Sequence, residues 1–496
     1  MIEHTTSAAV PALTPAAVLP LLMELWRLLW AARAAVRQGR CFDRLRALVL
    51  GQLCAVTRLT FTQALLALGL VDADPSAFYR LVGRARLGYD ALTHCYARQT
   101  LADVPADGPY VAVVDGLQMP RSSRTMPGTA WLKCPRTPPW KPGSHRAQAF
   151  VHLAALLPRW DGYSRALPLR LDPAFPPTAV PGAAPPQTAA PPQTEGQAAL
   201  AQVPWLRAEL DAAGRRAQEL LVLGDGHDDT VDLWTHLPAR TVLPARTVLP
   251  ARTVLLARTA CKRALYDLPP AGARRNRRYG ARAPRPDAAL AQRRNWQQPT
   301  VRGRDLPLRY RVQGSSLRRG ALGQPLFLLV VGGSVQAHGH YRRRGKPAFL
   351  LVNAVLWDGQ WVLPRPAEDL VAWAWQRWEV EVCQREMKSE CGVGEVQCWS
   401  ATATVRAVQL QAWAYVVCVL AGYRAWGYTR HPRFARGVWW GGALRWSLRT
   451  LRRGYQQALA QAPVRHPACA TAHGTWAEME GWLHQMDARS AAALAA

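Results

Sequence analysis

Two aspartates stand where apolar runs end: Asp115 in VVDG and Asp225 in LGDG, each followed by glycine. The runs before them, Tyr110 to Val114 and Leu220 to Leu223, read as short buried strands that give way to loops. Carboxylates at neighbouring strand ends of a mixed α/β sheet form a hard-oxygen set. Such a set suits a divalent cation and leaves room for phosphate oxygens and water. A third acid is available in WAWQRWEVEVCQREMK. At about 100° per residue, Arg377, Glu381 and Lys388 fall within roughly 40° of one another, whereas Glu379 and Glu386 point away. Arg377 and Lys388 are expected to steady Glu381 or to meet phosphates, the first as a planar fork and the second as a point charge. Ordinary readings stand beside these. Asp-Gly is a common turn, and the stripe is also the pattern of an exposed i, i+4 ion-pair ladder. Asp228 and Asp229 are expected to cap a helix starting near Thr230, and His227 to be a solvated loop residue.

The elements that must position these groups follow from periodicity. Helices are expected over Val18 to Val36, Phe42 to Val56 and Thr60 to Leu68, then in SAFYRLVGRARL after a cap at Asp74 or Ser76. Strands are expected at Phe150 to Leu157 and Ala166 to Leu171, and a helix from Gln197 to Gln218. PARTVL recurs at 238–243, 244–249 and 250–255, with LARTAC at 256–261 as a diverged unit. Six residues are too few for a helical solenoid, and a proline in every unit argues against repeated central strands. The repeat therefore reads as a tandem expansion of one strand and turn, with TVLLART at 253–259 as the copy in the sheet. Strands follow in LPLRYRVQ at 306–313, LFLLVVGG at 326–333, Phe349 to Val352 and Trp361 to Leu363. One helix is expected from Ala367 to about Lys388 and another from Val405 to Arg424.

Five segments result: a helical 1–105, read equally as a DNA-binding domain contacting backbone and groove or as a plain bundle with a solvated face, a core part 106–261, a basic β-rich insertion 262–345, a second core part 346–427 and a basic tail 428–496. The first core part contains a proline-rich linker at 173–196 and the repeat at 238–261. The 496 residues carry 62 Lys and Arg against 33 Asp and Glu, a formal charge of +29, and 49% are apolar. That apolar content excludes disorder over most of the chain, and the charge selects a polyanionic partner, nucleic acid first. Ten cysteines without a CxxC pair exclude a disulfide scaffold, and Cys383, Cys391 and Cys398 read as buried helix positions. MIEHTTS lacks a cationic leader, and the apolar run Ala412 to Gly422 is too short to span a bilayer. A cytoplasmic bacterial protein with no membrane association is expected.

The segment RWEVEVCQREMKSECGVGEVQCWS sets Arg377, Glu381 and Lys388 at Arg-x3-Glu-x6-Lys spacing, followed by Gly-Val-Gly and Gln-x-Trp-Ser. With VVDGLQMPRSSRTMPG around Asp115 and LVLGDGHDDT around Asp225, it resembles the DDE transposases of bacterial insertion sequences. The group in question places its third acid in a Tyr-x2-Arg-x3-Glu-x6-Lys signature. The resemblance covers roughly residues 40 to 425. It departs at the tyrosine position, which is Ala374 between Trp373 and Trp375, and at the repeat expansion downstream of Asp225.

The resemblance implies an α/β fold with a ribonuclease H-like mixed-sheet core, a β-rich insertion and an all-helical N-terminal domain. It implies that Asp115, Asp225 and Glu381 bind two Mg²⁺ ions, with Mn²⁺ as a substitute, and that Arg377 and Lys388 act as accessory or phosphate-contacting groups. The activity implied is cutting of insertion-sequence ends and joining to target DNA by metal-dependent phosphoryl transfer. The partners implied are double-stranded terminal inverted repeats and target DNA, held by a homodimer in a synaptic, nucleoid-associated complex. Two alternatives remain: a decayed or domesticated DNA-binding remnant, and a structure-selective nuclease on the same core.

Overall fold

Every side chain from Tyr110 to Val114 is apolar, the pattern of a strand covered on both faces. In the computed structural model this run opens β1 (Tyr110–Pro120), a strand inside a ten-stranded sheet. The structure describes residues 15–55, 58–84, 87–123, 125–135, 137–138, 140–159, 163–175, 193–237, 253–274, 276–301, 304–305, 308–332, 335–338, 341–344, 347–428 and 445–461. Repeat units at 238–252, most of the proline-rich linker and much of 428–496 fall outside these residues.

The chain divides into two units, 96–384 and a helical unit formed by 1–95 together with 385–496. In the first, β2 (Thr129–Lys133), β3 (Ser144–Leu156) and β4 (Ala166–Pro173) form antiparallel pairings around β3, and β3 pairs antiparallel with β1. On the other side of β1, β5 (Leu220–Gly224) and then β6 (Thr253–Arg258) run parallel to it. β6 is the expected copy of the repeat. The class is therefore mixed α/β with a large sheet of parallel and antiparallel strands.

Between β6 and the end of the sheet lie β7 (Leu265–Asp267), β8 (Thr300–Val301), β9 (Arg304–Asp305), β10 (Arg309–Arg318), β11 (Ala321–Gly332), β12 (Val335–His338), β13 (Tyr341–Arg344) and β14 (Ala348–Asn353). The sheet order is β2, β3, β1, β5, β6, β14, β11, β10, β7. Strands of the expected insertion thus continue the main sheet rather than folding apart, because β14 bonds β6 on one side and β11 on the other. β8 pairs with β9, β12 with β13, and β15 (Val355–Trp357) with β16 (Gln360–Val362) as separate hairpins.

Helix α6 (Glu195–Ala212) covers the sheet face that carries Tyr110, Ala112 and Val114, through Ala198, Ala199, Val203, Leu206 and Leu210. A capping box fixes its start, with Thr194 accepting from the Gln197 amide and Gln197 accepting from the Thr194 amide. It ends before Gly214 rather than at Gln218. α7 (Val231–His236) and α8 (Pro286–Ala291) are short. The single helix expected over Ala367 to Lys388 is two, α9 (Ala367–Gln376) and α10 (Trp378–Glu390), with a turn at Arg377.

The other unit holds α1 (Pro15–Ala31), a 3₁₀ turn at Ala32–Ala35, α2 (Gly39–Cys54), α3 (Phe61–Ala67) and α4 (Pro75–Gly83), close to the expected helices. Asp74 caps α4 by accepting from Ser76 N at 2.9 Å. The helix α5 (Tyr89–Asp103), which has weak amphipathic patterning, was not expected. α11 (Ala401–Trp426) packs with α1, α4 and α12 (Leu448–Gln461). At 26 residues α11 is the one described helix long and apolar enough to cross a membrane, and most of it is buried in its unit. The expectation that this run is too short therefore fails on length, because helix continues on both sides of Ala412 to Gly422. Cys383, Cys391 and Cys398 are all buried, although only Cys383 lies within a helix.

Candidate active site

The last parallel pairing between β1 and β5 is Val113 with Leu223. Asp225 comes immediately after the end of β5, within electrostatic reach of Asp115 on β1. Asp115 is not at a strand end, as the sequence implied. β1 runs on to Pro120 because β3 keeps pairing with it, Asp115 opposite His152 and Pro120 opposite Ala147. What ends at this point is the parallel neighbour β5, so Asp115 lies beyond its last pairing.

Backbone economy shapes the turn after β5. A side chain on Gly224 would meet the Asp228 Cβ at 2.7 Å, so glycine allows the chain to fold back closely. Asp225 Oδ1 then accepts from the His227 amide at 2.6 Å, and Asp228 Oδ2 accepts from the Asp225 amide at 2.8 Å. Asp228 and Asp229 are not helix caps. Thr230 caps α7 by accepting from Leu233 N at 3.3 Å. Asp229 is fully buried and holds Arg263 at 2.6 Å and Arg318 at 3.0 Å, while Trp234 Nε1 and Thr259 Oγ1 donate to it. The second-acid loop is thereby locked to β6, β10 and α7.

The third acid comes from α10. Arg377, at the turn before it, pairs with Glu381 at 2.7 Å, the i, i+4 contact expected from their shared face. Lys388, the other member of the stripe, lies where α10 has passed into the helical unit. Glu379 is buried, as is Glu386, which accepts from Tyr415 Oη and Leu448 N. Trp373 is buried beneath Arg159 at 4.5 Å and Trp375 is exposed.

Three further side chains reach the acids: Gln384 and Glu195, which the sequence reading does not name, and Asp228, which it reads as a helix cap. Gln384, one turn after Glu381, donates through Nε2 to Asp115 Oδ2 at 2.9 Å and to Gly116 O at 3.3 Å. Glu195, the first residue of α6, reaches Gly116, where an added Cβ would meet its carboxylate at 3.1 Å. It also lies 3.5 Å from exposed His227. Asp228 is the third. Of these, only the DGHDD spacing carried any signal in the sequence.

The electrostatics tie the acids together. Burial pushes the Asp115 carboxyl up to about 7; Arg377 opposes this, and the charges of Asp225 and Glu381 add to it. Burial, then Asp225, pushes Asp228 to about 8, with Asp115 and Glu195 contributing. Burial also raises Glu195, and Asp225 adds to the effect. Such clustering of perturbed carboxyls is a pattern that functional sites share with structural charge networks.

Asp225 and Glu381 each act on Asp115, and by chemistry the three carboxylates are the hard-oxygen donor type that Mg²⁺ takes. Among the described residues no three such side chains are close enough to hold a cation as they stand. The acids form a charge cluster centred on Asp115. No protein-family model matches the chain, and a search of curated proteins finds no match.

Proposed function

We propose that the chain is a DDE-type DNA transposase with a ribonuclease H-like core. The observation that carries this reading is that Asp115 on β1 is within electrostatic reach of both Asp225, in the turn directly after the parallel neighbour β5, and Glu381 on α10. A mixed sheet with acids on its inner strands is the arrangement the sequence resemblance implies, and the +29 charge supports a DNA partner.

In this account Asp115, Asp225 and Glu381 would hold divalent Mg²⁺, which when bound would supply Lewis-acid activation of the attacking hydroxyl and charge stabilisation at the leaving oxygen. Arg377 orients Glu381. Gln384 holds Asp115 Oδ2 and the Gly116 amide holds Oδ1, so the orientation of the carboxylate is fixed. Asp228, neutral at pH 7, supports the Asp225 backbone without adding a further negative charge. The helices of 15–103 are assigned to terminal-repeat recognition, and the working form is a dimer across two DNA ends.

Ala374 at the signature tyrosine and the repeat expansion after Asp225 favour one other reading, a DNA-binding remnant without turnover. The test is Mg²⁺-dependent cleavage and joining of DNA carrying the element's flanking ends, with Glu381→Gln compared at equal DNA binding. Cutting and joining lost in the variant supports the transposase. Cutting without joined products indicates a nuclease, and binding without cutting by either protein indicates the remnant.

A further inference from the structure

From Gly116 to Trp160 the sequence has no Asp or Glu, while Arg121, Arg124, Lys133, Arg136, Lys141 and Arg146 lie between Gly116 and Phe150. In the structure this stretch builds the β2–β3 hairpin, and β2 is the edge strand of the sheet. Trp131 on β2 is 69% exposed and Trp140 in the connecting loop 85%, and Lys133 and Lys141 beside them are exposed. A lysine on an edge strand is accounted for by protection against edge pairing. An exposed tryptophan there has the opposite effect, since it adds apolar surface.

Register places this patch relative to the site. Asp115 pairs with His152, and six residues back along β3 Arg146 pairs with Trp131. An even offset in an unbroken ladder keeps Trp131, Lys133 and Arg146 on the sheet face that carries Asp115. Six residues at about 3.4 Å each put Trp131 ~20 Å from Asp115 along the strand.

We propose that this hairpin binds a DNA strand with unpaired bases beside the cleavage site, the bases stacking on Trp131 and Trp140 and the phosphates pairing with Lys133 and Lys141. Indole faces accept any base, and alternating aromatic and basic side chains are the recurring chemistry of single-strand binding. The absence of acids over the whole stretch supplies charge complementarity that a second copy of this +29 chain lacks. The proposal rests on the DNA-transaction reading above and adds a residue-level contact to it.

The experiment uses the full chain and a forked duplex carrying 2-aminopurine in its unpaired strand about six nucleotides from the junction. Trp131→Ala/Trp140→Ala should weaken forked-DNA binding roughly 30-fold or more and abolish the 2-aminopurine quenching, with blunt-duplex binding nearly unchanged. Trp131→Phe/Trp140→Phe should restore most of both. Lys133→Gln/Lys141→Gln should lower the salt dependence by ~1.4 in log-log slope. Unchanged quenching, affinity and slope in folded variants overturn the proposal. So does loss of self-association by the tryptophan variant with forked-DNA binding intact. If wild type never cuts DNA but the tryptophan dependence holds, the transposase reading fails and this surface stands.

Discussion

The Gln384 side-chain amide donates to Asp115 Oδ2 at 2.9 Å, so the helix that carries Glu381 grips the strand that carries the first acid. This bond sets the orientation of a carboxylate assigned to the metal. Gln384→Ala should weaken divalent-ion binding 10- to 100-fold, the usual cost of losing such a supporting partner, with little change in melting temperature. Titration calorimetry with Mn²⁺ checks it. Equal affinity would remove Gln384 from the account.

The raised carboxyls make stability depend on pH and metal together. Asp115 at about 7 and Asp228 at about 8 retain protons that the unfolded chain has lost above its ordinary value near 4. Metal-free protein should therefore lose stability as pH rises from 5 to 8, since the folded state binds more protons across that window. Mg²⁺ should restore stability at pH 8 by favouring the ionised acids. Asp228→Asn should flatten the metal-free profile. Urea midpoints in EDTA and in Mg²⁺ provide the comparison.

Asp229 tests the structural frame without touching the acids. Its buried carboxylate meets Arg263 and Arg318, and removing it strands cationic groups against a buried loop. Asp229→Ala should cost ~3 to 5 kcal/mol in urea unfolding, and Asp229→Asn less, because the amide oxygen still accepts.

His152 lies opposite Asp115, fully buried, with neither ring nitrogen hydrogen-bonded. Burial depresses it to about 3, so the fold keeps it neutral while the unfolded chain takes up a proton below about 6.5. Its contribution is fully present above 6.5 and is lost, at ~1.4 kcal/mol per pH unit, as pH falls toward 3. His152→Leu should be neutral or stabilising at pH 7 and should resist acid better than wild type. Acid unfolding followed by circular dichroism decides this.

The chemistry legible in the sequence was of the local kind. Asp115 and Asp225 stood out because apolar runs stop at them, and Arg377 with Glu381 because helical spacing predicts their contact. Tertiary relations left weaker traces. Nothing in GLQMP announces that β3 will extend β1 past Asp115, and the periodicity of 367–388 runs through Arg377 without a glycine or proline to mark the turn. Glu195 follows a long proline-rich linker, so its arrival beside Gly116 depends on the packing of α6. Asp229 resembled a cap because its partners, Arg263 and Arg318, lie far away in the chain.

The central claim is that Asp115, Asp225 and Glu381 jointly hold divalent cations. Electron paramagnetic resonance of Mn²⁺ bound to the full chain at pH 8 tests it most directly, in wild type and in Asp115→Asn, Asp225→Asn and Glu381→Gln. The account predicts two bound ions in wild type, at least one lost in each aspartate variant, and weakened binding in Glu381→Gln. Mn²⁺ binding of unchanged stoichiometry and affinity in all three variants would contradict it.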